Sequence, residues 1–232
     1  MRLSGAFCQN RRKAKAKYMK AVFVVPILWF AITTALDDGP YFPIKTMAGE
    51  EGVMPRAAEW YGKSLERMKE PKLPSLAKDV NTVVYRLLIL PNNDNPKAVR
   101  VNRHGTIYRV SARRLDGRGG YDLGKLVESK EVELGAEDST MLELLIHNVD
   151  FFRLLTDDDV LGHDADEWIL EGVSNGRYHV VQRCCVTDEP KTRKLTAFLS
   201  LCRFLLDKSI LSERPTVMDQ NLRPTHIANG HY

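Results

Sequence analysis

Apolar and polar residues begin to alternate near residue 81, and this alternation predicts a series of β-strands. β-branched and aromatic residues fill the first segment, which ends at Pro91 and has apolar residues on both faces. His104-Gly105, between the second and third segments, suits a tight turn. The first four predicted strands are 81–90, 97–102, 106–113 and one within 124–134.

The segment 168–183 predicts two further strands joined as a hairpin. Asn175-Gly176 at its centre is the strongest signal for a two-residue turn, because both central residues of that turn need positive φ. The turn sets the register, which pairs Val173 with Tyr178, Gly172 with His179, Leu170 with Val181 and Trp168 with Arg183. His179 and Arg183 then share one face of the hairpin, and Glu171 lies on the other.

Two segments carry apolar residues at helical spacing and predict amphipathic helices. The first is 138–152, whose apolar stripe is Met141, Leu142, Leu145, Val149 and Phe152. The second begins after Pro190 and repeats Leu195, Phe198, Leu199, Cys202, Leu205 and Leu206. Together the strands and helices predict an α+β domain over about 81–210, with an antiparallel sheet of about six strands and two packed helices.

The sequence on either side of this domain has a different composition. Residues 37–80 are rich in proline and charge and predict a linker, in which only 57–68 has a helical pattern. Residues 211–232 have no periodicity and predict a flexible tail.

The positive charge of the chain is confined to its N-terminus. Seven basic residues and no acidic residue lie in the first 36 positions, which leaves 27 Lys and Arg against 30 Asp and Glu in the rest. The body is therefore mildly acidic, and the overall charge of +4 does not indicate nucleic-acid binding. We predict a basic cytoplasmic arm at residues 1–20 and no nucleic-acid partner.

Residues 21–36 form an uncharged apolar run directly after this arm. A helix of this length would span about 24 Å, slightly less than the hydrocarbon core of a bilayer at about 30 Å. It fits either a short single-pass transmembrane anchor or the apolar region of a cleavable signal, with Thr33-Thr34-Ala35 at the cleavage site. A buried core helix is the third alternative. Because basic residues stay in the cytoplasm, both membrane interpretations place the rest of the chain outside it, anchored to the cell membrane or secreted to the periplasm.

The predicted hairpin carries the pattern W-x-L-E-G-x-x-x-G-x-Y-H-x-V-x-R, formed by Trp168, Leu170, Glu171, Gly172, Gly176, Tyr178, His179, Val181 and Arg183. This pattern resembles a signature of a bacterial family of uncharacterised proteins, and the resemblance extends from the strands near 97–113 to the terminal helix. In that family a Trp, a Ser or Thr and a Pro follow the arginine, whereas Cys184 and Cys185 stand here. The resemblance implies no activity.

Polar residues of the hairpin are the first candidate site. Glu171, His179 and Arg183 could catalyse hydrolysis if they converged, but the predicted register places Glu171 apart from the other two. We therefore expect structural roles, with Glu171 and His179 bonded to backbone groups and Arg183 stacked on Trp168. The alternative is a binding site formed by Trp168, Glu171, Tyr178, His179 and Arg183.

The acidic segment 156–168 is the second candidate, because clustered carboxylates suit a hard cation such as Ca²⁺. Leu161 and Trp168 stand at ligand positions of a calcium loop that would begin at Asp157, so that motif fails. A solvated loop with local turns is the favoured interpretation. The alternative is an irregular divalent-cation site at Asp157, Asp159 and Asp164, and no other cofactor is predicted.

The segment 119–126 has the G-x-x-x-x-G-K spacing of a phosphate-binding loop. Leu126 replaces the Ser or Thr that binds Mg²⁺, and the residues after it alternate as in a strand instead of starting a helix. A glycine-rich connection between antiparallel strands explains this segment.

The cysteines bear on the compartment in which the protein works. Besides Cys8 in the basic arm, the body holds Cys184, Cys185 and Cys202. A disulfide between the 184/185 pair and Cys202 would suit an oxidising compartment, and small buried apolar residues are the favoured alternative. No CxxC spacing occurs in the sequence, so structural zinc is not predicted.

Two functions from different classes remain open. The favoured one is a non-enzymatic binding or envelope-associated module, exported or held at the membrane through residues 21–36, with a protein or small molecule as its partner. The alternative is a small hydrolase-type enzyme that uses Glu171, His179 and Arg183 with the acidic segment 157–167. A deep pocket that collects His179, Arg183 and loop carboxylates would favour the enzyme.

Overall fold

The computed structural model describes residues 40–43, 54–118, 122–158, 160 and 165–211, with the backbone only at 54–56. The predicted arm and apolar span at 1–36 and the predicted tail from 212 onward lie outside these residues. Part of the glycine-rich segment, 119–121, and the predicted cation ligands Asp159 and Asp164 also lie outside them.

Six antiparallel strands of the described chain form one sheet in the order β4-β3-β2-β1-β5-β6. The strands are β1 (Val84–Leu90), β2 (Lys97–His104), β3 (Ile107–Leu115), β4 (Leu126–Glu133), β5 (Glu167–Ser174) and β6 (Arg177–Cys184). Strands β1 to β4 are neighbours in chain order, and β5 then returns to pair with the other edge of β1. The predicted antiparallel sheet and the α+β class are confirmed.

β1 lies inside the sheet, between β2 and β5, and all seven of its residues are buried. Its apolar residues on both faces fit this position, because packed layers cover both sides of the sheet. The predicted hairpin register is also confirmed, since Trp168 pairs with Arg183 and Gly172 pairs with His179. Asn175 and Gly176 both have positive φ, as their two-residue turn requires.

Four α-helices pack on this sheet in the described residues. They are α1 (Met54–Arg67), α2 (Leu73–Leu76), α3 (Ala136–Val149) and α4 (Thr196–Lys208). None of these described helices has both the length and the apolar character that a membrane span requires.

α3 and α4, which the sequence predicts, cover one face of the sheet. Their apolar stripes, with Leu142, Phe198 and Cys202 fully or nearly fully buried, contact strand residues in the largest core cluster. The strand residues of this cluster include Tyr85, Val101, Leu170 and Val181. Met141 of the predicted stripe is exposed instead, on the outer side of α3.

α1 and α2 cover the opposite face, and both lie in the segment 37–80 that is predicted to be a linker. Tyr61, Leu65 and Met68 pack with Phe42 against buried residues of β1, β5 and β6. The described part of this segment is thus a layer of the fold and not a linker. The prolines of this segment predict a linker, but a proline is compatible with a helix at its start. Pro74 lies in the first turn of α2, where a backbone N–H would have no partner within the helix.

Candidate functional site

Two charged residues at the centre of the sheet form a buried ion pair. Arg86 of β1 and Glu171 of β5 are cross-strand partners, and both side chains are fully buried. Arg86 Nε and Nη2 donate to Glu171 Oε2 at 2.8 and 2.5 Å. Arg86 Nη1 donates to the carbonyl oxygen of Pro71 at 2.6 Å, which ties the α1–α2 connection to the sheet.

Further polar side chains extend this ion pair into a network. The Tyr178 hydroxyl donates to Glu171 Oε1 at 2.9 Å. Glu70 Oε2 lies 3.6 Å from Arg86 Nη1 and accepts a hydrogen bond from Arg100 Nε at 2.8 Å. Glu171 and Tyr178, two of the five predicted binding residues, are therefore committed to holding β1, β5 and β6 together beneath α1.

Burial and neighbouring charges shift the pKa values of Arg86, Glu171 and Tyr178. Burial disfavours the charged form of Arg86, but the carboxylates of Glu171 and Glu70 outweigh this effect and raise its pKa. Burial raises the pKa of the Glu171 carboxyl against the opposing effect of Arg86. Burial and the Glu171 carboxylate raise the pKa of the Tyr178 hydroxyl well above its usual value. Arg86 consequently stays charged at neutral pH, and Tyr178 stays a hydrogen-bond donor.

His179 lies on the opposite face of the hairpin and is separated from Glu171 by the sheet. Its Nε2 donates to the carbonyl oxygen of Leu154 at 2.9 Å, and its ring meets the Phe151 ring edge-on at a centroid distance of 5.2 Å. Burial lowers the pKa of the imidazole, so the neutral ring is favoured. The predicted bond from His179 to the backbone is confirmed, whereas Glu171 bonds to side chains and not to the backbone.

Arg183 near the end of β6 binds the loop that follows the short helical turn at 151–153. Its Nη2 donates to the carbonyl of Leu155 at 2.8 Å, and its Nη1 donates to the carbonyl of Thr156 at 3.1 Å. The Gln182 backbone N–H also donates to Thr156, at 2.6 Å. The guanidinium is thus used on loop carbonyls, and the predicted stacking on Trp168 does not appear among the cation–π contacts of the described residues.

Asp158 lies between two arginines, Arg183 and Arg193, and we call these three residues the Asp158 cluster. Its Oδ2 accepts a hydrogen bond from Arg193 Nη2 at 2.7 Å and lies 3.7 Å from Arg183 Nε. The side chains of Arg183, Arg193 and Asp158 are 5%, 14% and 20% exposed. The Asp158 cluster is therefore buried at Arg183 and reaches the surface at Asp158 and Arg193.

Several buried polar atoms at the Asp158 cluster have no hydrogen-bond partner in the described structure. They are Asp158 Oδ1, Arg183 Nε and Arg193 Nε. The indole Nε1 of Trp168, on the cross-strand partner of Arg183, is also buried without a partner. Buried polar groups are normally bonded, and leaving one unpaired costs about 1–3 kcal/mol. The two arginine atoms are N–H donors that an acceptor oxygen would satisfy, whereas Asp158 Oδ1 is itself an acceptor.

The sequence predicts only part of the Asp158 cluster. Trp168 and Arg183 are predicted binding residues, and Asp158 lies in the acidic segment 156–168. Arg193 carries no local signal, because it lies among turns after β6 and reaches Asp158 only through the fold. Its guanidinium is held by the carbonyl oxygens of Cys184 and Cys185, at 2.9 and 2.8 Å.

The predicted cation site can be followed at one of its three carboxylates, Asp157, since Asp159 and Asp164 lie outside the described residues. Within residues 40–43, 54–118, 122–158, 160 and 165–211, no group of three or more His, Cys, Asp or Glu side chains is arranged to hold a metal ion. A cation site at the three carboxylates stays a prediction.

Comparison with protein-family models, curated proteins and solved structures finds no match to this chain. The resemblance of the hairpin to a bacterial signature stays a prediction. Fold and site together define an α+β domain with a partly buried cluster of two arginines and an aspartate at the end of β6. The function is therefore inferred from the geometry of the described residues.

Proposed function

We propose that this chain is a non-enzymatic binding module that works outside the cytoplasm and recognises an anionic oxygen group, a carboxylate or a phosphate, at the Asp158 cluster. The observation that carries the proposal is the pair of buried guanidinium N–H donors that lack a hydrogen-bond acceptor, Arg183 Nε and Arg193 Nε. The indole Nε1 of Trp168, the cross-strand partner of Arg183, also lacks one. Anionic oxygens are the strongest acceptors for guanidinium groups, since the hydrogen bonds are charge-assisted.

The guanidinium groups of the Asp158 cluster support an anionic ligand through their hydrogen-bonding geometry. Arg183 and Arg193 share the carboxylate of Asp158, and the Asp157 carboxylate also acts on Arg183, so an anion would be held by directed hydrogen bonds and not by an excess of positive charge. Backbone carbonyls already hold the Arg183 and Arg193 side chains in place, so binding would cost little side-chain conformational entropy. The Arg193 and Asp158 side chains are partly exposed, so the Asp158 cluster meets solvent on one side, although the unpaired Nε atoms themselves are buried.

The same geometry supports binding over hydrolysis. Glu171 is enclosed in the network with Arg86, and His179 donates to Leu154 on the other face of the sheet. An acid and a base that act on one substrate must both come within hydrogen-bond reach of it, about 3 Å. The Glu171 and His179 side chains do not meet this condition, since the sheet lies between them.

A titration tests the binding proposal. Isothermal titration calorimetry of the full chain with inorganic phosphate and with succinate should give saturable binding of at least one probe. Arg193→Gln should weaken it by about tenfold or more, because a hydrogen bond to a charged group contributes roughly 1.5–3 kcal/mol. Arg203→Gln, which removes the same charge from an exposed position on α4, should leave the affinity unchanged. Equal affinity of the two variants, or no binding of either probe, would contradict the proposal.

The proposed location rests on the uncharged run at 21–36 and the basic residues before it. Expression of the full chain in a bacterium, followed by fractionation and N-terminal sequencing, tests it. The protein should be recovered with the membrane, or in the periplasm with a new N-terminus near residue 36. Recovery of soluble, uncut protein from the cytoplasm would contradict this part of the proposal.

A further inference from the structure

Two consecutive cysteines lie where β6 ends, beside the Asp158 cluster. Their sulfur atoms, Cys184 Sγ and Cys185 Sγ, are 3.1 Å apart. A disulfide bond has a length of about 2.05 Å, so closing the pair needs a movement of only about 1 Å. Both thiols are free in this structure.

The backbone of the pair is held from several sides. Arg193 donates to both carbonyl oxygens, and the Cys185 N–H donates to the carbonyl of Asp166 at 3.2 Å. Cys185 has φ of 49°, in the left-handed region that L-residues other than Asn, Asp and Gly seldom adopt. This turn of the backbone brings the Cys185 side chain back toward that of Cys184, which a continued strand would place on the opposite face.

The two thiols have different surroundings, and this difference determines which of them reacts first. Cys184 is buried, and its thiol donates to the carbonyl oxygen of Val160 at 3.2 Å. Burial and the hydrogen bond with Cys185 raise the pKa of the Cys184 thiol to about 12. Cys185 is partly exposed, so a reagent in solution can reach it first.

We propose that Cys184 and Cys185 form a reversible dithiol modification site that is oxidised to a disulfide by exchange with a small-molecule disulfide. The Cys185 thiolate attacks one sulfur of the reagent, which breaks the S–S bond and releases one thiol. The Cys184 sulfur then loses its proton, attacks the mixed disulfide at Cys185 and releases the second thiol. Two protein thiols and one disulfide reagent thus give one protein disulfide and two small thiols.

The product would be easily reduced again. Consecutive Cα atoms are about 3.8 Å apart, whereas disulfide-linked residues usually have Cα atoms about 4.4–6.8 Å apart. A bond between neighbours is therefore strained, and strained disulfides are the reducible ones. The pair suits a site that changes state with the redox potential of its surroundings, and this inference does not depend on the proposed anion binding.

Cys202 is not the partner of this pair. It lies on α4, is fully buried in the core cluster beneath α3 and α4, and has a thiol pKa that burial raises. The disulfide between Cys202 and the 184/185 pair, which the sequence left open, is not formed in this structure, where all three thiols are free. The favoured prediction of a small buried apolar residue describes Cys202.

Oxidised glutathione tests the inference on the folded, full-length chain. After treatment, free thiols are alkylated and the protein is cut with trypsin, which releases 184–191 (CCVTDEPK) as a peptide with these two cysteines and no other. The peptide should lack two hydrogens and carry neither an alkyl group nor glutathione. Mild treatment with reduced dithiothreitol should restore two alkylatable thiols.

Two variants identify the role of each sulfur. Cys184→Ser should keep glutathione bound to Cys185, because the sulfur that releases it is missing. Cys202→Ser should form the 184–185 disulfide as the unchanged chain does. Persistent glutathione on Cys185 of the unchanged chain, alkylation of both thiols, or a link from the 184–191 peptide to Cys202 would overturn the inference.

Discussion

At the residue scale, Gly172 shows why a glycine stands in the middle of a buried strand. A Cβ atom at this position would lie 2.6 Å from Phe151 Cε1 and 2.8 Å from Tyr85 Cδ1. These two rings meet edge-on across the missing side chain, at a centroid distance of 5.7 Å. The glycine in the hairpin pattern thus has a packing role, because only its small volume admits the 151–153 turn close to the sheet.

Gly172→Ala should therefore destabilise the protein by about 1–3 kcal/mol, since overpacking displaces the two rings. Urea unfolding measures the change in the free energy of unfolding. Gly62→Ala in α1 is the matched control: its Cβ would meet Tyr41 no closer than 3.4 Å, and a helical alanine should be neutral or up to about 1 kcal/mol more stable. Equal effects of the two substitutions would refute the packing role.

His179 gives a pH-dependent contribution at the same scale. Burial lowers its pKa below the ordinary value of 6.5, so its stabilising effect is complete above about pH 6.5 and is lost as the pH falls through the folded-state pKa. His179→Leu should cost about 0.5–1.5 kcal/mol at pH 8 through the lost bond to Leu154. Unfolding measured from pH 8 to pH 5 should show this difference shrinking. A difference that is constant or that grows toward pH 5 would contradict the assignment.

At the element scale, the Arg86–Glu171 pair fixes how β1 lies against β5. The two residues are direct cross-strand partners, so a shift of one position would leave both charges buried without each other. Tyr178 extends this control to β6 through its bond to Glu171. The ion pair thus selects one register of β1 against β5.

Breaking this pair from either side should be costly. Glu171→Gln and Arg86→Met should each destabilise by about 3–5 kcal/mol, because each leaves a buried partner uncompensated. The double variant should be much more stable than the sum of the two losses predicts, and urea unfolding of all four proteins gives the coupling energy. Strictly additive losses would indicate that the two side chains do not act as a pair.

α1 is the element that the sequence describes least well. The sequence shows a helical pattern at 57–68, but it does not show that the apolar side of this helix packs against β1, β5 and Phe42. Leu65→Ala should cost about 2–5 kcal/mol, since Leu65 is fully buried, whereas Glu66→Ala on the exposed side should change stability by no more than about 0.5 kcal/mol. Thermal unfolding measures both changes in stability. If this segment were a linker, neither substitution would change the stability.

At the scale of the whole molecule, the sequence predicts what local rules control. Strand alternation, the Asn175-Gly176 turn and the apolar stripes of α3 and α4 are local, and the structure confirms them except at Met141, which is exposed, and Phe152, which lies beyond the end of α3. Contacts between distant residues are not visible in the sequence. Arg86 meets Glu171 across 85 positions, and Arg193 meets Asp158 across 35, so neither pairing could be predicted from spacing.

The two edge strands of the sheet, β4 and β6, differ in how they are covered. The outer strand β4 is largely exposed and carries alternating charge, including Lys130 and Glu131, which discourages pairing with another chain. The edge of β6 is instead covered by the loop that contributes Asp158. The Asp158 cluster therefore lies where the sheet, the loop and the segment after β6 meet, and this junction is the proposed binding site.

Nuclear magnetic resonance of the side-chain N–H groups tests the proposed site most directly. Addition of inorganic phosphate or succinate should shift the Nε–H resonances of Arg183 and Arg193 and the indole resonance of Trp168 along one saturation curve. The Nε–H resonance of Arg86, which is already bonded to Glu171, should not move. If saturating probe moves exposed arginines such as Arg203 while the resonances of the Asp158 cluster stay still, these donors do not form a binding site.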